Sequence, residues 1–258
     1  MRVLFISRLF SGLETSIVND IWKPTGVPTI YKMIERFDQV ADSLELVLTS
    51  KDGNTIWKNK KIITKKINGL RSSITVLPGA ISFPKFIPKK LRTLFRELYH
   101  FLYSYFRYKK IKPDVIYIDN ANIFTASMLS RLTSTPVVFR VMGVYPSMKK
   151  IIDSRKLKHR VFRFFYTSPF SQVICTQDGS GVEPWLDKII HHNAKTEILI
   201  NGVDMPLTSN KHFKEFNKID KSKMTILFVG KFENSKGCIQ FLKAFHKASI
   251  QLENKIYA

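Results

Sequence analysis

Residues 224–248 read MTILFVGKFENSKGCIQFLKAFHKA. The run from Thr225 to Val229 is apolar and β-branched, which predicts a strand buried on both faces. The run stops at Gly230, and Lys231 follows. From Ser235 onward the apolar spacing becomes helical, with Ile239, Leu242, Phe245 and Ala248 at successive intervals of three. The pattern is therefore strand, short loop, helix, with Ser235 placed to cap the helix. Free backbone N–H groups at a helix start attract anions. Lys231 and Lys236 flank that start and can face the same anion, so Gly230, Lys231, Lys236 and Gly237 form a candidate phosphate or diphosphate site. It is not a Walker loop, because no Gly-x4-Gly-Lys-Ser/Thr occurs. The plain alternative is a glycine that ends a strand in a lysine-rich chain.

Two segments carry a resemblance. Leu227-Phe228-Val229-Gly230-Lys231 with Lys236-Gly237 resembles the start of the second domain of the family-four retaining glycosyltransferases of the GT-B fold. In that family the basic residue after the strand glycine and the Lys-Gly pair grip the diphosphate of a nucleotide sugar. Just upstream, Ile198 to Asp204, with Asn201-Gly202 at its centre, is similar to the segment that closes the family's first domain. The resemblance implies an acceptor-side Rossmann-like domain over residues 1–204, a linker over 205–223 and the start of a nucleotide-sugar-binding domain over 224–258. It also implies a nucleotide sugar as co-substrate and no separate cofactor.

Length and composition agree with such a fold without requiring it. The chain has 258 residues, 44% of them hydrophobic, enough for one large or two small packed domains. Cys175 and Cys238 lie far apart and read as reduced and buried, which together with the short first apolar run Val3 to Ile6 implies a cytoplasmic address. No stretch approaches the ~20 apolar residues of a membrane span. Net charge is +22, which implies attraction to polyanions: nucleic acid, anionic lipid or phosphorylated substrates. Nucleic acid is the weakest of these, since no helix-turn-helix, zinc-finger or RNA-recognition signature is present.

Along the chain, apolar strands alternate with helical patterns, the signature of a doubly wound α/β sheet. A strand over Arg2 to Ser7 is followed by what reads as a long loop, Arg8 to Pro28, carrying Gly12 and Gly26, then by a helix, Thr29 to Ala41. The resembling family begins this helix with a Gly-Gly pair near acceptor and donor; here Gly26 is followed by Val27. Leu44 to Ser50 is a strand, and Ile62 to Val76 suggests a short hairpin.

Lys89 to Lys110 reads as a long helix with one wide apolar face that includes Leu91, Leu94, Phe95, Leu98, Phe101 and Phe106, and with basic residues at its ends. Two readings stand: a helix at an anionic membrane surface, or a core helix with solvated lysines. A second aromatic segment, Phe162 to Tyr166, adjoins another basic cluster, Lys149 to Arg163. The expected address is thus cytoplasmic, with peripheral attachment at the inner membrane face as an extension.

Polar residues at the carboxyl ends of parallel strands point into the ligand crevice. Asp119 and Asn122 follow the strand Pro113 to Ile118 and are candidate contacts for a hydroxylated acceptor, or caps of the next helix. The strand Pro136 to Val141 often ends in a histidine in the resembling family; Met142 stands there, leaving Arg140 and Tyr145 as candidate polar contacts. With Gly12, Gly26 and Asn201 these complete the candidate acceptor cleft. His191 and His192 are adjacent, a spacing that suits surface residues better than metal ligands.

One strand and one helix do not make a stable α/β domain, so residues 224–258 read as an incomplete one. The expected function is transfer of a sugar, with retention, from a nucleotide sugar to a cell-surface glycan or lipid-linked acceptor. The alternative is a non-catalytic acceptor or membrane-surface binding domain, or an inactive remnant.

Overall fold

Val3, Leu4, Phe5 and Ile6 are all at most 1% exposed, as a strand covered on both faces requires. They form the middle of β1 (Arg2–Arg8), the centre of an eight-stranded sheet in a computed structural model of the chain. The structure describes residues 1–51, 54, 56–57, 60–79, 88–177, 181–200, 224–229, 232, 237–251 and 256–257. They divide between two compact units, Met1–Val203 and Asp204–Ala258.

The first unit runs β1, α1 (Ser11–Val18), α2 (Pro28–Val40), β2 (Ser43–Thr49), β3 (Ile63–Lys66), β4 (Ser73–Leu77), α3 (Lys89–Ile111), β5 (Val115–Asp119), α4 (Ile123–Leu132), β6 (Val137–Val141), α5 (Pro146–Lys149), α6 (Leu157–Tyr166), β7 (Gln172–Thr176), α7 (Val182–Ile189) and β8 (Lys195–Leu199). Strand order is β3-β4-β2-β1-β5-β6-β7-β8. Every neighbouring pair is parallel except β3 with β4, the expected hairpin, which pairs Ile63 with Val76. The α/β doubly wound architecture is therefore as the alternating pattern predicts.

Two cores flank the sheet. One joins α1 and α2 to it through Leu13, Ile17, Ile30 and Ile34. The other joins α3 to α7 through Phe101, Ala126, Leu129, Met148, Tyr166 and Trp185. Cys175 and Cys238 are both buried. One sequence expectation fails here: Arg8 to Pro28 is not a loop throughout, because Leu13 and Ile17 close a short helix on the first core. Its eight residues hold too few apolar positions for a periodicity to stand out.

The second unit pairs β9 (Met224–Thr225) in parallel with β10 (Ile256–Tyr257) and contains α8 (Cys238–Gln251). The expected buried strand from Thr225 to Val229 is shorter. Leu227 is 77% and Val229 84% exposed, since among the described residues this unit offers one partner strand and one helix to cover them. Ser235, the expected cap, lies outside the described residues, and α8 begins at Cys238.

Candidate functional site at the carboxyl edge of the sheet

Chain order reverses at β1: the chain winds outward through β2 and β4 on one side and through β5 to β8 on the other. The carboxyl ends of β1 and β5 thus form the switch point at which open α/β sheets bind ligands. The side chains there form a closed network. Asp119 Oδ2 accepts from Ser7 Oγ and from the Arg8 backbone N–H, both at 2.8 Å. Asn122 Nδ2 donates to Asp119 Oδ1 at 2.8 Å, and Thr49 Oγ1 donates to Asn122 Oδ1 at 2.7 Å. Asp119 and Asn122 are both fully buried. Burial pushes the Asp119 carboxyl up against the three hydrogen bonds that favour its charged form. The pair therefore ties together the ends of β1, β2 and β5 and does not face solvent. Asn122 also makes no side-chain bond to cap α4, because its amide is committed to Thr49 and Asp119.

Gly12 packs against Thr25, the residue before Gly26. A Cβ on Gly12 would lie 1.7 Å from the carbonyl oxygen of Thr25, whose N–H donates back to the Gly12 carbonyl. Gly26 has φ +65° and Val27 φ +22°, so the left-handed turn that enters α2 continues onto a β-branched residue. The Thr29 hydroxyl, in the first turn of α2, faces Met142 Sδ at 3.8 Å. The position where the resembling family often carries a histidine thus abuts the start of α2.

Arg140 is 5% exposed and donates from Nη2 to Thr176 Oγ1 at 2.7 Å, binding β6 to β7; its Nε is buried without a partner among the described residues. Tyr145 is 56% exposed beside the start of α5. Asn201, Gly230, Lys231 and Lys236 lie outside the described residues. Gly237 immediately precedes α8 with φ +77°, a conformation that suits glycine.

A second polar cluster escaped the sequence reading. Lys51, just past β2, lies 2.7 Å from the Glu97 carboxylate of α3. Arg96 Nη2 approaches the same carboxylate at 3.1 Å. Burial lowers the Lys51 pKa and outweighs the opposing pull of Glu97. Burial acts upward on Glu97, but the Lys51 charge and hydrogen bond carry it below its ordinary value. His100 lies fully buried in the next turn and donates from Nε2 to the Pro78 carbonyl at 2.9 Å, which leaves Nδ1 an acceptor without a partner among the described residues. Burial, then the nearby Lys51 charge, pushes its pKa down to about 4. The signal was available: Arg96, His100 and Ser104 recur every four residues, which places them on one stripe of the helix.

His191 and His192 follow α7 in a turn, with their rings stacked at 4.4 Å, so they are not splayed by a helix. Among the described residues no three His, Cys, Asp or Glu side chains gather to hold a metal, and no helix is long and apolar enough to cross a membrane.

No protein-family model and no curated protein matches the chain. Solved structures do match. One is sucrose-phosphate synthase from Thermosynechococcus elongatus, a glycosyltransferase of the GT-B fold, with 14% sequence identity and a TM-score of 0.57. The match covers 95% of this chain and 60% of that one. At this identity the likeness establishes the fold, an α/β sheet of the GT-B kind.

Proposed function

We propose that the chain comprises the acceptor-side domain and the start of the donor-side domain of a retaining, family-four glycosyltransferase. It moves a sugar from a nucleotide sugar to a cell-surface glycan or lipid-linked acceptor in the cytoplasm. The reading is carried by one conjunction: a GT-B-like first unit is followed by the glycine- and lysine-bearing segment Leu227 to Gly237. In this reading Lys231 and Lys236 face the diphosphate and offset the charge that builds on it as the glycosidic bond breaks. Gly237 supplies the left-handed residue that lets backbone N–H groups at the start of α8 approach the phosphates.

Acceptor positioning falls to the edge above β1 and β5. The buried Asp119–Asn122 network holds that edge rigid, while Gly12 packs against Thr25 in the segment that leads into α2. Among the described candidates, Tyr145 is the side chain open to a hydroxylated acceptor.

Titration of the full chain with UDP-glucose and GDP-mannose, by calorimetry, tests the donor half of the reading. One of them should bind saturably. Lys231→Ala or Lys236→Ala should weaken that binding roughly tenfold to a hundredfold, the worth of one hydrogen bond to a charged group. Donor binding unaltered in both variants sinks the proposal. Retention is read separately, from the anomeric configuration of the product by NMR.

A further inference from the structure

Helix α3 is built inside out. Its sheet-facing stripe holds Arg96, His100 and Ser104, all buried, with Phe101 as the main apolar anchor. Its opposite stripe holds Leu91, Leu94, Leu98, Leu102 and Phe106, which are between 39% and 67% exposed. These recur at intervals of three or four, so they line one face over about 22 Å. An amphipathic helix packed only on its own domain turns the apolar stripe inward. Here the sheet-facing stripe is polar, and the apolar packing of α3 on the core comes from Phe101 with Tyr103, Tyr105, Tyr108 and Ile111, so the outward stripe takes no part in that core.

The same side of the sheet carries a second such element. α3 packs on α4, and α4 on α6. In α6, Leu157 is 74%, Val161 44% and Phe164 49% exposed. A cavity of about 220 Å³ is lined by Met148 and Ile151 and, from α6, by His159, Phe162 and Tyr166, and α6 joins the core through Tyr166 and Phe165. Lys89 and Lys90 begin α3; Lys109, Lys110 and Lys112 end it; Lys158, Arg160 and Arg163 stud α6. No described carboxylate forms an ion pair with any of these.

We propose that the outward faces of α3 and α6 dock on an anionic lipid bilayer, with apolar side chains entering the acyl boundary and the lysines and arginines reaching the phosphate headgroups. An apolar stripe with cations at both ends is the pattern of a helix lying in a membrane interface. A second copy of the chain is a poorer occupant, because it would set +22 against +22. The inference goes beyond the transferase reading and is independent of it, since lipid binding is measured with no sugar donor present.

The test is co-sedimentation of the full chain with vesicles of phosphatidylcholine alone and of phosphatidylcholine mixed with phosphatidylglycerol. Binding is expected only to the mixed vesicles, and it should weaken as salt rises. Lys109→Gln with Lys110→Gln should weaken it about fivefold per charge removed. Leu94→Ser with Phe106→Ser should weaken it at least roughly tenfold. Because these side chains are exposed, both double variants should keep the wild-type circular dichroism and unfolding midpoint. Lys60→Gln with Lys61→Gln removes the same charge from a region next to β3 and should change little. Absence of binding to the mixed vesicles overturns the proposal. So does an equal loss in the Lys60/Lys61 variant, or a dimer in light scattering that the Leu94/Phe106 variant abolishes.

Discussion

His100 shows how much one buried side chain can decide. Its folded pKa, about 4, lies below the 6.5 of a free histidine, so the unfolded chain binds the extra proton. Stability contributed by the neutral ring is fully present above about pH 6.5 and is lost as pH falls toward 4. The shift corresponds to about 3 kcal/mol. His100→Gln keeps a side-chain N–H for the Pro78 carbonyl and cannot titrate there, so chemical denaturation of that variant should show a flatter dependence between pH 6.5 and 4. The glycines make a sharper contrast. Gly12→Ala drives a Cβ into the Thr25 carbonyl, which should cost about 3 kcal/mol and lower the unfolding midpoint by several degrees. Gly26→Ala meets no atom within 4 Å and bears only the left-handed backbone penalty, about 1–2 kcal/mol. A reversed order in calorimetry would contradict the packing described for α1.

At the scale of the element, α3 separates two properties that its sequence presents as one. Its apolar residues are numerous enough to suggest a single face, yet Phe101 is 8% and its neighbour Leu102 41% exposed. Phe101 meets Phe124 of α4 edge to face, with ring centroids 6.0 Å apart. Phe101→Ala should therefore destabilise the first unit by about 3–4 kcal/mol, and Leu102→Ala by less than about 1 kcal/mol. Urea unfolding of the two variants measures the difference directly. The membrane reading of α3 needs that asymmetry, because a side chain already spent on the core is unavailable to a bilayer.

For the whole molecule, the two units differ in what stands behind each strand. β1 is flanked by β2 and β5 and covered by helices on both faces. β9 has two residues, one partner strand among the described residues and exposed apolar neighbours at Leu227 and Val229. Amide hydrogen exchange should accordingly be much slower in β1, β2 and β5 than in β9 and β10, because local opening costs least where few contacts close over the backbone. Equal protection in both units would mean that the second is covered by something other than its described residues. The high positive charge adds mutual repulsion across the surface, so added salt should modestly raise the midpoint of the first unit.

Much of this was legible in the residues themselves. Alternation of apolar runs with helical spacing is local, and it determined the α/β class, the strands around Phe5, Ile118 and Phe139 and the hairpin at Ile63 and Val76. The close approach at Gly12 and the left-handed backbone at Gly26 were not read from that alternation, because both depend on how the segment folds back on itself. What a polar side chain does was not legible, because that depends on partners distant in sequence. Asp119 reads as a ligand for solvent-borne hydroxyls, yet Ser7 and Asn122 enclose it; Arg96 reads as surface charge, yet Lys51 and the Pro78–Gly79 turn come to lie against α3. Which stripe of α3 faces inward was likewise undecided by spacing alone. Periodicity states that a helix has two faces, and only the packing of the sheet against one of them, with its buried cations and their carboxylate, decides which face is left for the outside.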